Sequence, residues 1–329
     1  MQDKYKVVVI GGGTGTSVVL SGLKKYEDVD LTAIFVVTDS GGSTGRLRDE
    51  FGFLPVGDAR QCLAALADGD HQEEVRQMLL YRFGKGDGLQ GHNLGNLVLT
   101  ALEDMKSSPG LAIETAANIF NIKGQVLPVT EKDVDLVIHY ENGQVKVGEH
   151  HLDDLSLGGK KIIEVNLSEP AHVYDKAKKA IEEADLVTMG PGDLYGSLLP
   201  NAVVEGFAEA LNNSQGKFVY VVNLMTHFSQ THQMSAQDHV DEIEKYCQRY
   251  PDYVVMNIGE IPDKLKEKYA ESQEYPVADD LEEKEKSRLI RADLIDLKQY
   301  QQKENDEVPR SLLRHHREKL AQTIYEILL

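Results

Sequence analysis

The segment from Val36 to Leu66 reads VVTDSGGSTGRLRDEFGFLPVGDARQCLAAL. It opens as an apolar strand and closes as an apolar helix, with glycine, hydroxyl, arginine and aspartate gathered between them. Ser40-Gly41-Gly42-Ser43-Thr44-Gly45 can turn successive backbone N–H groups inward as a nest for an anion. Arg46 and Arg48 follow with planar forks that match phosphate or carboxylate. They alternate around Leu47, so in an extended segment both face one way. Asp39 ends the strand 24 residues after Gly15, where an acid in a dinucleotide fold accepts hydrogen bonds from a ribose. Asp58 stands where it can cap a helix starting near Ala59, or aim a carboxylate at a metal or a ligand hydroxyl. Arg60 falls in the first turn of that helix, against the charge preference of that end; a nearby anion would account for it.

Three other stretches have related chemistry. VVVIGGGTGTS runs strand, glycine turn, helix. Gly11, Gly12, Gly13 and Gly15 let a phosphate approach the backbone, and Thr14, Thr16 and Ser17 add hydroxyls. The dinucleotide fingerprint is incomplete, because Thr16 stands where its third glycine belongs, and no lysine follows as in a P-loop. GLQGHNLGNLVLTAL brings His92, Asn93 and Asn96 to a helix start, either to recognise a base or sugar or as an N-cap beside a buried histidine. DLVTMGPGDLYGSLLPNAVVEGF repeats the strand–turn–helix arrangement around Gly190, Pro191 and Gly192. Two helix N-termini could then converge on one anionic ligand. Asn223, Thr226 and His227 follow a strand and could line the same edge. His150–His151 reads as exposed. Arg314, His315, His316 and Arg317 form either a basic cap over the site or a solvated helix start. No Ser-His-Asp order and no CxxC pair stands out. Cys62, in a helical run, reads as core packing.

Positioning these loops requires alternating strands and helices. YKVVVI (5–10) and LTAIFVVT (31–38) are buried strands. Four helical stretches follow without an intervening strand, so residues 67–125 read as a helical insertion. Residues 126–168 alternate and carry an Asn142–Gly143 turn, the signature of a small antiparallel patch. Strand–helix alternation then resumes through 253–259, which implies a parallel sheet covered on both faces. The run LEEKEKSRLIRADLI reads as a charged tail, and RHHREKLAQTIYEILL as a closing amphipathic helix. The expected fold is α/β: a Rossmann-like, mostly parallel sheet with helices on both faces, a helical insertion and a small antiparallel patch, in one domain spanning 1–329. Net charge is −19, which argues against nucleic acid but not against a small anion held by local amides. No apolar window is long enough to span a membrane, and the N-terminus has no signal-peptide pattern. The expected setting is the cytoplasm.

GGGTGT, VTDSGGSTGRLR, GDARQCLAAL, GHNLGNLVLTAL and MGPGDLYGSLLPN, in that order, resemble the bacterial gluconeogenesis factor family (YvcK type), relatives of the 2-phospho-L-lactate transferases (CofD-like). The resemblance is clearest from Val7 to Asn201. It implies a nucleotide-type ligand, a UDP-sugar such as UDP-N-acetylglucosamine, and a regulatory role in cell shape and wall synthesis during gluconeogenic growth. It places Gly12, Gly13, Thr14 and Gly15 on one phosphate and Ser43, Thr44 and Arg46 on the other. Asp39 goes to a ribose or sugar hydroxyl, Asn96 and His92 to base or sugar. Gly192 and Tyr195 form the opposite wall, and Arg314 a C-terminal lid. The implied partners are proteins of wall-precursor synthesis and further copies of the chain. The transferases carry paired acids in the second-strand loop, where this sequence has Asp39 alone. An Mg²⁺-dependent transferase, with Asp39 and Asp58 on the metal, is the first alternative; an NAD(P)-dependent oxidoreductase is the second.

Overall fold

The apolar runs that flank the glycine turns assemble into one parallel sheet. The structure is a computed structural model that describes residues 4–284, 287–297 and 312–329. Its strands are β1 (Tyr5–Gly11), β2 (Val29–Phe35), β3 (Gln125–Pro128), β4 (Leu136–Tyr140), β5 (Val145–Val147), β6 (Ile162–Leu167), β7 (Leu186–Met189), β8 (Lys217–Val221), β9 (Tyr253–Asn257), β10 (Arg288–Ala292), β11 (Ile295–Asp296) and β12 (Arg314–His315). The helices are α1 (Gly13–Leu23), α2 (Gly42–Phe51), α3 (Gly57–Leu66), α4 (Gln72–Leu80), α5 (Leu94–Lys106), α6 (Pro109–Ile119), α7 (Asp175–Glu182), α8 (Leu199–Ala202), α9 (Phe207–Asn213), α10 (Ala236–Cys247), α11 (Asp263–Ala270) and α12 (Arg317–Leu328).

The main sheet has the order β10-β9-β8-β7-β1-β2-β3, with every pairing parallel. From β1 the chain builds outward through β2 and β3, then returns to the other side of β1 with β7 and builds through β10. The boundary between β1 and β7 is therefore the topological switch point, where open α/β sheets bind ligands. Helices cover both faces, so β1 and β7 are buried almost throughout. α1 packs on α3 and α12. Gly22 permits the second contact, because a Cβ there would lie 2.6 Å from the Ala321 Cβ.

The antiparallel patch has the order β5-β4-β6, and the Asn142–Gly143 turn joins its first two strands, with Gly143 at φ +81. Three expectations are corrected. Residues 125–128 pair in parallel with β2 at the edge of the main sheet and do not join the patch. The charged run 281–295 supplies the opposite edge strand, β10; residues 285 and 286 of that run lie outside the described residues. Its Leu289 and Ile290 are half-buried, while Arg288 and Arg291 face out and guard the edge against further pairing. The run 196–213 is not one helix: Gly206 takes φ +87 and breaks it between α8 and α9. Among the described residues, no helix is long and apolar enough to cross a membrane.

Candidate functional site

The carboxyl ends of β1 and β7 open into a cleft of about 870 Å³. Its first wall is made of helix starts. β1 runs into Gly12, which is extended, and Gly13 takes φ +62, so the chain enters α1 through a backbone shape that L-residues avoid. The Gly13 N–H donates to Asp58 Oδ1 at 2.7 Å. α2 begins at Gly42 (φ +50), and the preceding Gly41 N–H donates to Asp39 Oδ1 at 2.9 Å. α5 secures that start: Asn96 Nδ2 donates to Ser43 Oγ (3.4 Å) and Thr44 Oγ1 (3.3 Å), and the Asn93 N–H donates to Ser43 Oγ (3.2 Å). Asn96 is buried, lines the cleft, and keeps its Oδ1 without a hydrogen-bond partner. Gly15 brings α1 against the Pro191 carbonyl, so the turn after β7 closes this end.

Two carboxylates sit in this wall. Burial, followed by the charge of Asp39, pushes the Asp58 carboxyl up to about 7, against the Gly13 N–H and Arg60. Burial also raises Asp39, opposed by the Gly41 N–H, the Thr44 hydroxyl and Arg60. A second acid thus does stand near Asp39, but it comes from α3 and not from the loop after β2. The capping reading of Asp58 fails for the same reason: α3 has no side-chain cap, and the carboxylate turns to the glycine loop.

The far half of the cleft is also acidic. The short helix Glu149–Asp153, after β5, brings Glu149 and Asp153 to the site, and Asp193 and Glu274 face them. Burial holds Glu149 well above the usual carboxylate range, and Asp39 adds to it. Burial raises Glu274 as well. Asn223, Thr226 and His227 line this half, as do α11 through Lys268 and Tyr269 and the returning chain through Leu312–His315. Sequence spacing offered no signal for Glu149 or Glu274, because tertiary folding alone brings them together. Among the described residues, no three His, Cys, Asp or Glu side chains converge as metal ligands do. Asp39 and Asp58 nevertheless suit Mg²⁺, which is commonly held by one or two carboxylates completed by substrate phosphate.

Of the expected site residues, Gly12, Gly13, Thr14, Gly15, Asp39, Ser43, Thr44, Asp58, Asn96, Gly192 and Arg314 line the cleft. Three do not. Tyr195 is buried in the core, with Glu242 and Tyr246 near its hydroxyl. His92 stands one layer back, its Nδ1 3.2 Å from Ser43 Oγ. Arg46 is exposed on α2, near Gly91. Residues 42–51 are helical and not extended, so Arg46 and Arg48 point apart. Arg48 is spent structurally on Asp133 Oδ1 (2.7 Å) and Asp135 Oδ1 (2.6 Å). Of the expected basic cap, Arg314 and His315 line the cleft, and burial drives His315 down to about 4. Arg48→Ala is expected to lower stability by about 1–2 kcal/mol, since its guanidinium is largely buried while both aspartates are screened. Arg46→Ala should cost less than about 0.5 kcal/mol. Urea denaturation of the two variants checks the order; equal losses would contradict it.

Ligands of this class of α/β protein sit outside the carboxyl ends of the strands, at the switch point, and that is where this cleft lies. The family model described as "2-phospho-L-lactate transferase CofD" matches residues 7–295. A "Gluconeogenesis factor" of Bacillus subtilis is 37% identical over 333 residues, covering 100% of this chain and 99% of its own. A "Putative gluconeogenesis factor" of Thermotoga maritima is 39% identical over 264 residues, covering 80% and 82%. The crystal structure of a Bacillus halodurans protein superposes with a TM-score of 0.87 at 34% identity, over 98% of this chain and 100% of that one. The chain belongs to the CofD family, among the relatives named gluconeogenesis factors.

Proposed function

We propose that the protein binds a nucleotide-sugar, a UDP-sugar such as UDP-N-acetylglucosamine, with the diphosphate against the starts of α1 and α2. It then acts as a regulator of wall-precursor supply and cell shape in gluconeogenic growth, through proteins of precursor synthesis. One observation carries this reading: two glycine-opened helix starts face one cleft at the switch point, beside the buried Asn96 with its unsatisfied Oδ1. The relatives' name, gluconeogenesis factor, favours a regulatory role over turnover.

A second reading, a Mg²⁺-dependent transferase of a phosphorus-containing group, is favoured by the Asp39–Asp58 pair and by the family model's description. The metal would neutralise charge on the phosphate. Thermal unfolding against UDP-N-acetylglucosamine, UDP-glucose, UDP, GDP and NAD, each with and without Mg²⁺, separates the readings. The expected result is stabilisation by UDP-sugars of about 2.7 kcal/mol at 100 times the dissociation constant, a shift of a few degrees. A shift confined to NAD would sink the proposal. A shift requiring Mg²⁺, accompanied by consumption of the nucleotide, would establish the transferase.

A further inference from the structure

The antiparallel patch ends in an unguarded edge. β5 is the outer strand of β5-β4-β6 and, among the described residues, pairs with β4 alone. The ladder fixes which of its main-chain groups are left over. The Tyr140 N–H donates to the Gln144 carbonyl and the Gly148 N–H to the Leu136 carbonyl, so the bonded pairs are 140 with 144, 138 with 146 and 136 with 148. Val145 and Val147 fall between these pairs, and their N–H and C=O groups point away from β4. Their side chains share a face with Val137 and are each 52% exposed. Lys146 lies on the other face, near His151 and Asp154. It does not shield this edge as Arg288 and Arg291 shield β10.

At its Val147 end the edge runs into a hollow of about 340 Å³. Asp49, Asp133 and Asp135 line the hollow against a single guanidinium, that of Arg48, which takes Oδ1 of Asp133 and Oδ1 of Asp135. The remaining wall is the back of the glycine nest. Gly41, Gly42, Ser43 and Thr44 line the cleft, whereas Ser40 and Gly45 line the hollow. Ser40 Oγ accepts the His150 N–H at 3.1 Å, which ties the nest to the chain leaving β5. One short segment therefore separates the proposed phosphate site from the acidic hollow.

Outward main-chain groups suit an extended segment added as a further strand, and the carboxylates suit a cation carried on it. An edge of three residues gives few hydrogen bonds, so the hollow supplies the second anchor. A second copy of the chain does not fit. Two β5 strands paired about a two-fold axis set Lys146 opposite its mate, and like charges directly opposite are destabilising; each copy also carries a net charge of −19. We infer that β5 and the adjoining hollow are the docking site for a strand of a partner protein, with a lysine or arginine of that strand in the hollow. This rests on the regulatory reading above and names the surface that a regulated protein would touch, the reverse side of the segment that lines the cleft.

Fluorescence anisotropy of the full chain with labelled synthetic peptides, in the absence of nucleotide, tests the docking site. One peptide alternates threonine and valine and is flanked at both ends by arginine; its twin is flanked by glutamate. The arginine peptide should bind at least tenfold more tightly. N-methylation of its backbone amides keeps its charge, removes its strand pairing, and should weaken it about tenfold. Val147→Pro should do the same, because it removes an outward N–H and leaves the bonds to β4 in place. Asp49→Asn, at an exposed side chain, should weaken binding severalfold. Should Val147→Pro fail to fold, the methylated peptide carries the test. No binding of the arginine peptide, equal binding of its twin, or binding indifferent to N-methylation overturns the docking site. A wild-type dimer that Val147→Pro turns into a monomer in sedimentation gives the edge to a second copy and overturns it too. Strand-dependent binding of the arginine peptide by a chain that UDP-sugars do not stabilise removes the nucleotide reading and leaves the docking site standing.

Discussion

Asp58→Asn is expected to make the protein more stable above pH 7, and to make no difference below about pH 4. The reason is linkage. The Asp58 carboxyl titrates near 7 in the folded chain against an ordinary 3.8. Between those values the native state holds a proton that the unfolded state has lost, so stability falls as pH rises through this window. Above pH 7 both states are ionised and the full penalty is in place. Each pKa unit corresponds to about 1.4 kcal/mol, which sets a ceiling of about 4 kcal/mol. Coupling to Asp39 lowers the net effect to about 2–3 kcal/mol, because Asp39 ionises more easily once its neighbour is neutral. Asparagine keeps an oxygen for the Gly13 N–H, so the hydrogen bond at 2.7 Å survives. Calorimetric melting of wild type and variant from pH 4 to 9 reads the result: a difference that opens with pH and then levels off. A loss of stability that does not vary with pH would defeat the argument. For the diphosphate proposed above, a proton or a cation on the aspartate pair would remove the charge that otherwise repels it.

What the chain reveals in one dimension is what local chemistry enforces. Glycines at 12, 13 and 15 after an apolar run can be read directly, because few other residues follow the backbone there. Asp39 is legible because it closes the apolar run of the second strand, although β2 itself stops at Phe35. α2 was hidden for the opposite reason. Gly42-Ser43-Thr44-Gly45 are weak helix formers, and local preference reads them as a loop. The helix forms because partners far along the chain hold it: Asn93 and Asn96 on Ser43 and Thr44, Asp133 and Asp135 on Arg48. Once the segment is helical, the two arginines cannot act as one fork, and the phosphate role assigned to Arg46 loses its geometric basis. Of the two alternatives for Asp58 only the cap fails, and the chain alone does not decide between them because its partner lies 45 residues away. The acidic half was invisible for the same cause. Asp153, Asp193 and Glu274 come from separate segments, and no spacing rule links them.

Gly15→Ala is the substitution expected to do most damage at the glycine wall, although helix propensity argues the other way. Within a helix, alanine is favoured over glycine by about 1 kcal/mol. At Gly15 an added Cβ would overlap the Pro191 carbonyl oxygen and lie 2.6 Å from its carbon and 3.3 Å from the Gly192 nitrogen. All three are backbone atoms, so no side chain can rotate away. Either α1 or the turn after β7 must move. Overpacking of this kind costs about 1–3 kcal/mol and occasionally more; with backbone on both sides the upper part of that range applies. The net loss should be about 2 kcal/mol, seen as a lower denaturation midpoint with an unchanged slope. The displacement falls at the start of α1, one of the two helix starts proposed to hold the phosphates, so the thermal shift with UDP should disappear as well. Gly52→Ala supplies the contrast. Gly52 has φ +68 and no atom within 4 Å of an added Cβ, so alanine there costs about 1 kcal/mol from backbone strain alone, and the response to UDP should persist. If Gly15→Ala is as mild as Gly52→Ala and still responds to UDP, the contact of α1 with the turn after β7 does not shape the phosphate end of the cleft. Loss of UDP binding in the Gly15 variant alone would show that the two halves of the sheet meet at the ligand.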